Sequence, residues 1–221
     1  SAPNQPPIAD AGPDQTVECT GPGGTFITLD GSGSSDPDST PGTNDDIVSF
    51  KWYEAEISIG DTEILDYLFE VDTHPITLEV TDSNGETDSD QTNIIIQDTT
   101  APSISVSATP NVLWPPNHKM VHVTTTVTAT DNCDTEPAIK LVSIVMDESD
   151  ETITFDPDYD LSVNDGKTSG DIQIVDDYNF YLRSERSGKS DGRTYTITYK
   201  AIDESGNEST AYAEVLVPHS M

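Results

Sequence analysis

Positive charge, cysteine and long apolar runs are all scarce in this 221-residue chain. Nine Lys and Arg residues stand against 41 Asp and Glu, for a formal net charge of −32. A phosphate backbone would be repelled, so nucleic acid is excluded as a natural partner. An anionic membrane surface is disfavoured for the same reason. No apolar stretch approaches the roughly 20 residues of a membrane span, so insertion is not expected. No leader pattern is seen, and the ends, Ser1-Ala2-Pro3 and Ser220-Met221, read as those of a fragment of a longer secreted polypeptide. The two cysteines, Cys19 and Cys133, form no Cys-x-x-Cys metal motif. Recognisable catalytic signatures are missing too. His74, His118, His122 and His219 make no His-Glu-x-x-His pair, and no Gly-x-Ser-x-Gly elbow occurs. Acids are so frequent that no particular carboxylate pair stands out as a hydrolase site. The sequence nominates no enzyme.

What the chain has instead is Asp. It outnumbers Glu about two to one and gathers beside Asn, Gly and Ser. That is the chemistry of turns and cation-binding loops rather than of helix surfaces. Strand signals dominate the rest. Val48, Phe50 and Trp52 alternate with polar residues, as do Ile76, Leu78 and Val80, then Val121, Val123 and Val127, then Tyr195, Ile197 and Tyr199. Period-two runs rich in Thr, Val and Ile predict half-buried antiparallel strands. Gly21-Pro22-Gly23-Gly24, Ser83-Asn84-Gly85 and Ser205-Gly206-Asn207 punctuate them. The only stretch with helical character is a single turn near residues 62–68.

A grammar of segments occurs twice. A polar lead-in (Asn4 to Pro7; Asp98 to Pro102) precedes an Asp-rich loop after a strand. That loop is Asp30 to Asp38 in the first half and Asp131 to Asp134 in the second. An Asp-rich turn then joins two late strands, at Asp82 to Gly85 and at Asp203 to Asn207. The repeat predicts an all-β chain of two tandem immunoglobulin-like β-sandwiches, residues 1–97 and 98–221. Trp52, in mid-strand, is expected between the two sheets of the first. The joint near Gln97 to Pro102 is short and ends in proline, so it reads as stiff, and the pair as a rod. An acidic excursion, Asp147 to Asp171, reads as an insertion in the second sandwich, after which Ile172, Ile174, Tyr178, Phe180 and Leu182 resume an inward period. Within it, Asp156 to Asp160 imitates the start of an EF-hand loop. Leu161 and Lys167 stand where the Gly and the bidentate Glu would be needed, which rejects that motif. Arg183 and Arg186 are expected in internal ion pairs, and His118 in a rigid turn.

Residues 4–97 resemble a polycystic-kidney-disease (PKD) repeat. The likeness is carried by Pro6-Pro7, Ala11 to Val17, Leu29-Asp30-Gly31-Ser32, Ser35 to Asp38, the strand at Trp52 and Val80-Thr81-Asp82. One departure is Tyr53-Glu54-Ala55-Glu56, where many relatives carry a Phe-Gly-Asp-Gly turn. Residues 98–218 are similar to bacterial extracellular sandwich modules of the hyalin-repeat type. The carriers there are Thr99 to Pro102, Leu113 to His118, Ala129 to Cys133, Leu182 to Gly188 and Asp203 to Asn207.

The resemblance implies surface display without catalysis, and calcium at the pole of the PKD-like sandwich. There Asn4, Asp36, Asp38 and Asp82 would meet, joined by Asp45 or Asp46, with Asp46 preferred. At the equivalent pole of the second sandwich Asp98, Asp131, Asp134 and Asp203 would gather, with Asn207 beside them. Asn207-Glu208-Ser209 is also a glycosylation sequon, but a turn role suits Asn207 better. The topology of such sandwiches further allows a disulfide between Cys19 and Cys133, stable only outside a reducing cytosol. Trp114 is the best exposed aromatic for stacking on a sugar, set against packing on its own sandwich. The expected function is that of a secreted or cell-surface, Ca2+-stabilised spacer or adhesion unit. Its partners would be neighbouring domains, a polysaccharide or a cell-surface protein. The alternative is a carbohydrate-binding accessory module of a polysaccharide-degrading enzyme.

Overall fold

A computed structural model describes residues 3–147, 170–186 and 192–220. Among the described residues it is all-β, with fourteen strands and no helix. By its own contacts the chain divides into two compact units, Ser1–Thr99 and Thr100–Met221.

The first unit contains β1 (Gln15–Glu18), β2 (Thr25–Asp30), β3 (Ile47–Glu54), β4 (Ile57–Gly60), β5 (Ile64–Phe69), β6 (Asp72–Asp82) and β7 (Thr87–Gln97). Five form one sheet in the order β1-β7-β6-β3-β4, and β2 pairs with β5 in a second. β1 runs parallel to β7, while the other pairs are antiparallel. The inward phase of β6 buries Ile76, Leu78 and Val80 completely, and that of β2 buries Ile27 and Leu29. Trp52 is fully buried between them, and its indole N–H donates to the Thr62 carbonyl at 2.9 Å. An indole in that position needs such a partner, because a buried donor left unmade costs about 1–3 kcal/mol.

The second unit contains β8 (Ser103–Thr109), β9 (Met120–Thr130), β10 (Ala138–Met146), β11 (Ile172–Asp176), β12 (Asn179–Arg183), β13 (Gly192–Ile202) and β14 (Glu208–Pro218). One sheet has the order β10-β13-β14 and the other β11-β12-β9-β8. β13 is central to the first of these, and every inward residue from Arg193 to Ala201 is at 0% exposure. Tyr195, Ile197 and Tyr199 pack with Leu113, Val123, Phe180, Leu182, Val215 and Val217 in one apolar cluster. Full burial of each such side chain contributes about 1.5–3 kcal/mol.

Several local expectations are corrected. Residues 62–68 hold no helical turn. Ile64–Phe69 pairs with β2, and Leu65, Tyr67 and Phe69 alternate inward, which a strand satisfies and a helix would scatter. Val48 points outward at 62% exposure, because a bulge between Ile47 and Ser49 shifts the phase of β3. Tyr178 does not join the inward run, since it stands in the turn between β11 and β12 at 40% exposure. Most of the acidic excursion, and with it the Asp156–Asp160 stretch, lies outside the described residues.

The departure at Ala55-Glu56 has a structural consequence. These two residues form the two-residue link between β3 and β4, closed by the Glu54–Ile57 pair. Both have positive φ, 44° and 71°. Such tight hairpins demand left-handed backbone and favour Asn-Gly or Gly-Gly, so this turn carries strain that glycine would relieve.

Candidate cation site

The candidate site of the first unit is built from three pieces of chain that the sandwich brings to one end. The loop after β2 supplies Asp36 and Asp38, the segment leading into β3 supplies Asp46, and the β6–β7 turn begins at Asp82. Asp36, Asp38 and Asp46 each offer a carboxylate oxygen, and these oxygens lie within 4.8 Å of one another. Asp36 is buried, Asp46 half-buried and Asp38 exposed.

The environment of Asp36 is unusual. Its Oδ1 accepts the Asp38 backbone N–H at 3.0 Å, but its buried Oδ2 has no hydrogen-bond partner. Burial, then the Asp38 side chain, then the charges of Asp38 and Asp46, push the Asp36 carboxyl above the ordinary range, although the Asp38 backbone N–H works the other way. Three like charges around a desolvated oxygen are unfavourable until a cation or a proton enters.

The remaining predicted residues hold the frame. Asn4 donates through Nδ2 to Asp82 Oδ2 at 2.7 Å, and Asp82 Oδ1 accepts the N–H groups of Asn84 at 2.9 Å and Glu86 at 2.8 Å. Asp82 is almost wholly buried yet fully bonded. The Asn4 amide, first among these donors, holds its carboxyl below the usual range. Asn4 and Asp82 therefore stand beside the trio as a bonded pair rather than within it. Two contacts join pair and trio. The Gln5 N–H donates to Asp38 Oδ2 at 3.2 Å, and Ser83 donates from N and Oγ to Asp46. Asp45 and Asp46 differ in their partners. Asp45 spends its carboxylate on Thr40 and Thr43 of its own loop, which lowers its pKa and leaves Asp46 as the third member.

In the second unit Asp131 Oδ1 accepts the N–H groups of Cys133 at 2.7 Å and Asp134 at 3.0 Å. Asp134 Oδ2 accepts the Glu204 N–H at 3.1 Å, which ties this loop to the turn that Asp203 opens. Asp203 is buried and accepts both the backbone N–H and the Nδ2 of Asn207, at 2.7 and 2.9 Å. Asn207 thus takes its expected turn role. Asp131 Oδ2 is buried with no hydrogen-bond partner. Asp98 is buried and falls at the end of the first unit. Neither cysteine is free: Cys19 and Cys133 are both disulfide-bonded. Trp114 is 46% exposed.

A buried polar network was only half legible. Arg183 pairs with Asp171 at 2.7 Å, as an internal ion pair. The other oxygen of Asp171 binds Arg193 at 3.1 Å, and Arg193 also donates to the Tyr195 hydroxyl at 3.1 Å. Asp171 and Arg193 are both fully buried. The signal was present in the sequence, since Arg193 occupies the inward phase that continues through Tyr195, Ile197 and Tyr199. His118 sits at φ 62° with its Nδ1 3.3 Å from the Glu185 carboxylate, in a turn as expected. His74, which the sequence left without a role, is held between the Glu54 carboxylate at 2.5 Å and the Glu70 carbonyl at 3.0 Å.

No family model and no curated protein matches the chain. Solved structures do. The solution structure of the PKD domain from KIAA 1837 protein is 26% identical, over 47% of this chain and 97% of that one, with a TM-score of 0.34. The fibronectin(III)-like modules of Clostridium thermocellum CbhA are 12% identical, over 96% of this chain and 94% of that one, with a TM-score of 0.32. Bacteroides ovatus SGBP-B, solved in complex with a mixed-linkage heptasaccharide, is 11% identical, over 96% of this chain and 47% of that one, with a TM-score of 0.33.

Proposed function

We propose that the chain is a non-catalytic pair of extracellular sandwich modules, stabilised by calcium, that serves as a spacer or adhesion unit within a larger secreted or surface protein. One observation carries this reading: the buried, partnerless Asp36 oxygen inside the Asp36–Asp38–Asp46 trio. Calcium takes six to eight oxygens at about 2.3–2.6 Å and accepts carboxylates, carbonyls and water together. The trio supplies carboxylates of graded exposure, so a hard divalent ion could bind protein on one side and water on the other. The ion would neutralise a cluster that otherwise repels itself and would tie the two ends of the long β2–β3 loop, which holds all three residues, to each other. Oxidised cysteines suit a compartment outside the reducing cytosol. The partners would be neighbouring domains or a cell-surface protein.

Calorimetric titration with calcium chloride tests the site. Binding should be seen with the wild type and be lost on Asp36→Asn and Asp46→Asn. Asp45→Asn should bind as the wild type does, because Asp45 is committed to its own loop. Absence of heat with the wild type would reject the site. A second reading, a carbohydrate-binding accessory module, draws support from the exposure of Trp114.

A further inference from the structure

The outward face of the β11-β12-β9-β8 sheet differs from the rest of this acidic chain. β8, β9 and β12 together carry no Asp or Glu, although the chain has 41, and β11 brings one carboxylate, Asp176, which accepts from the Asn179 side-chain amide at 2.8 Å. Their one basic residue, Arg183, is tied to Asp171. The inward phase of β8 and β9 packs on the apolar cluster, so the alternate residues face out. From the Ser103–Thr130 pair to the Thr109–Thr124 pair, four registered rows present Ser or Thr on both strands, and all are exposed. One row is closed by a hydrogen bond, Ser105 Oγ to Thr128 Oγ1 at 2.8 Å. In the next row of β9, His122 lies opposite Tyr181 of β12, with ring centroids 5.2 Å apart. Gln173 of β11 stands beside Tyr181 in register.

We infer that this face is a binding surface for an uncharged polysaccharide chain, laid across the Tyr181–His122 ring pair and the hydroxyl rows. The inference rests on the second reading above and places its site on the sheet rather than at Trp114. The chemistry selects the ligand. Each Ser or Thr hydroxyl both donates and accepts, so the array suits a partner whose own groups are hydroxyls. Repetition every second residue along the strands and every strand across the sheet suits a repeating ligand. The exposed tyrosine ring offers a flat apolar surface to the C–H face of a sugar. A protein partner fits poorly. Interfaces are centred on desolvated apolar or aromatic anchors, and the outward positions of β8, and of β9 from residue 122 to 130, hold no aliphatic side chain. An acidic partner would meet the field of a −32 chain, whereas a neutral one would not.

Affinity electrophoresis through mixed-linkage β-glucan, xylan and galactomannan, with alginate as the acidic comparator and pelleting on cellulose and chitin, tests the inference. The wild type should be retarded or pelleted by at least one neutral polymer and not by alginate. Tyr181→Ala should weaken binding by roughly tenfold, the size expected for one lost ring stack. Thr126→Glu, an exposed change that leaves the core intact, should abolish it. This second variant decides the matter should Tyr181→Ala fold poorly. Binding lost with Trp114→Ala but kept in Tyr181→Ala and Thr126→Glu would overturn the sheet site and leave the second reading standing. No binding to any neutral polymer would overturn both.

Discussion

Asp171 is the position where one atom change should cost the second unit most. Its carboxylate is wholly buried and shared by two guanidinium groups, Arg183 at 2.7 Å and fully buried Arg193 at 3.1 Å. Asp171→Asn keeps the shape but removes the negative charge between them. Breaking a buried pair by removing one partner costs about 3–5 kcal/mol, because the remaining charge has been taken from water without compensation. A domain of this kind has about 5–15 kcal/mol in total, so the loss is a large share of it. Arg193→Met should cost less, since the Arg183 pair on Oδ1 survives. The double variant Asp171→Asn with Arg193→Met should cost less than the two single changes together, by an amount of order 0.5–3 kcal/mol, because it removes charge and counter-charge at once. Hydrogen exchange read by mass spectrometry on β12–β13 peptides measures each loss. β6–β7 peptides of the first unit serve as an internal reference. Additive losses, or an Asp171→Asn effect below about 1 kcal/mol, would show that the network does not hold the sandwich together.

Two further outcomes follow from strain and from proton linkage. Replacing Ala55-Glu56 by Asn-Gly should stabilise the first unit by about 1 kcal/mol, read as a higher urea midpoint at unchanged slope, because both residues have positive φ. An unchanged or lower midpoint would deny the strain. At His74, burial works to lower the pKa, but hydrogen bonds to the Glu54 carboxylate and Glu70 carbonyl, with the charges of Glu54 and Asp72, outweigh it and raise the value. Its contribution is therefore complete below the unfolded value of about 6.5 and is lost as pH rises through the folded value. The melting temperature of the first unit should fall as pH rises above about 6.5, and His74→Gln should flatten that slope. An equal slope in the variant would place its cause elsewhere.

The strands were legible because alternation is a local signal. Ile76, Leu78 and Val80, or Tyr195, Ile197 and Tyr199, name their own inward phase, and all are fully buried. Where the phase slips, local reading fails. Val48 faces solvent because of a bulge set by pairing with β6, which no window of β3 reveals. The pole of the first unit was legible in outline because Asp36-Pro37-Asp38 and Asp82-Ser83-Asn84-Gly85 are turn sequences whose placement follows from the sandwich. Which carboxylates approach one another was not. Asp82 satisfies itself on Asn4, Asn84 and Glu86, whereas Asp36 is left with a buried bare oxygen, and that difference arises from three-dimensional hydrogen bonding. Asp171 and Arg193 lie 22 positions apart, so only the inward placement of Arg193 hinted at the network.

Differential scanning calorimetry of the wild type and Asp36→Asn, each with excess calcium and with chelator, tests the central claim most directly. At a hundredfold excess over its dissociation constant, calcium should stabilise the wild type by about 2.7 kcal/mol, a shift of several degrees. Asp36→Asn should melt above the wild type in chelator, because the repelling buried charge is gone and the amide can donate to Asp38, and calcium should not move it. A wild type indifferent to calcium, or an Asp36→Asn variant that melts lower in chelator and still responds to the ion, would contradict the account.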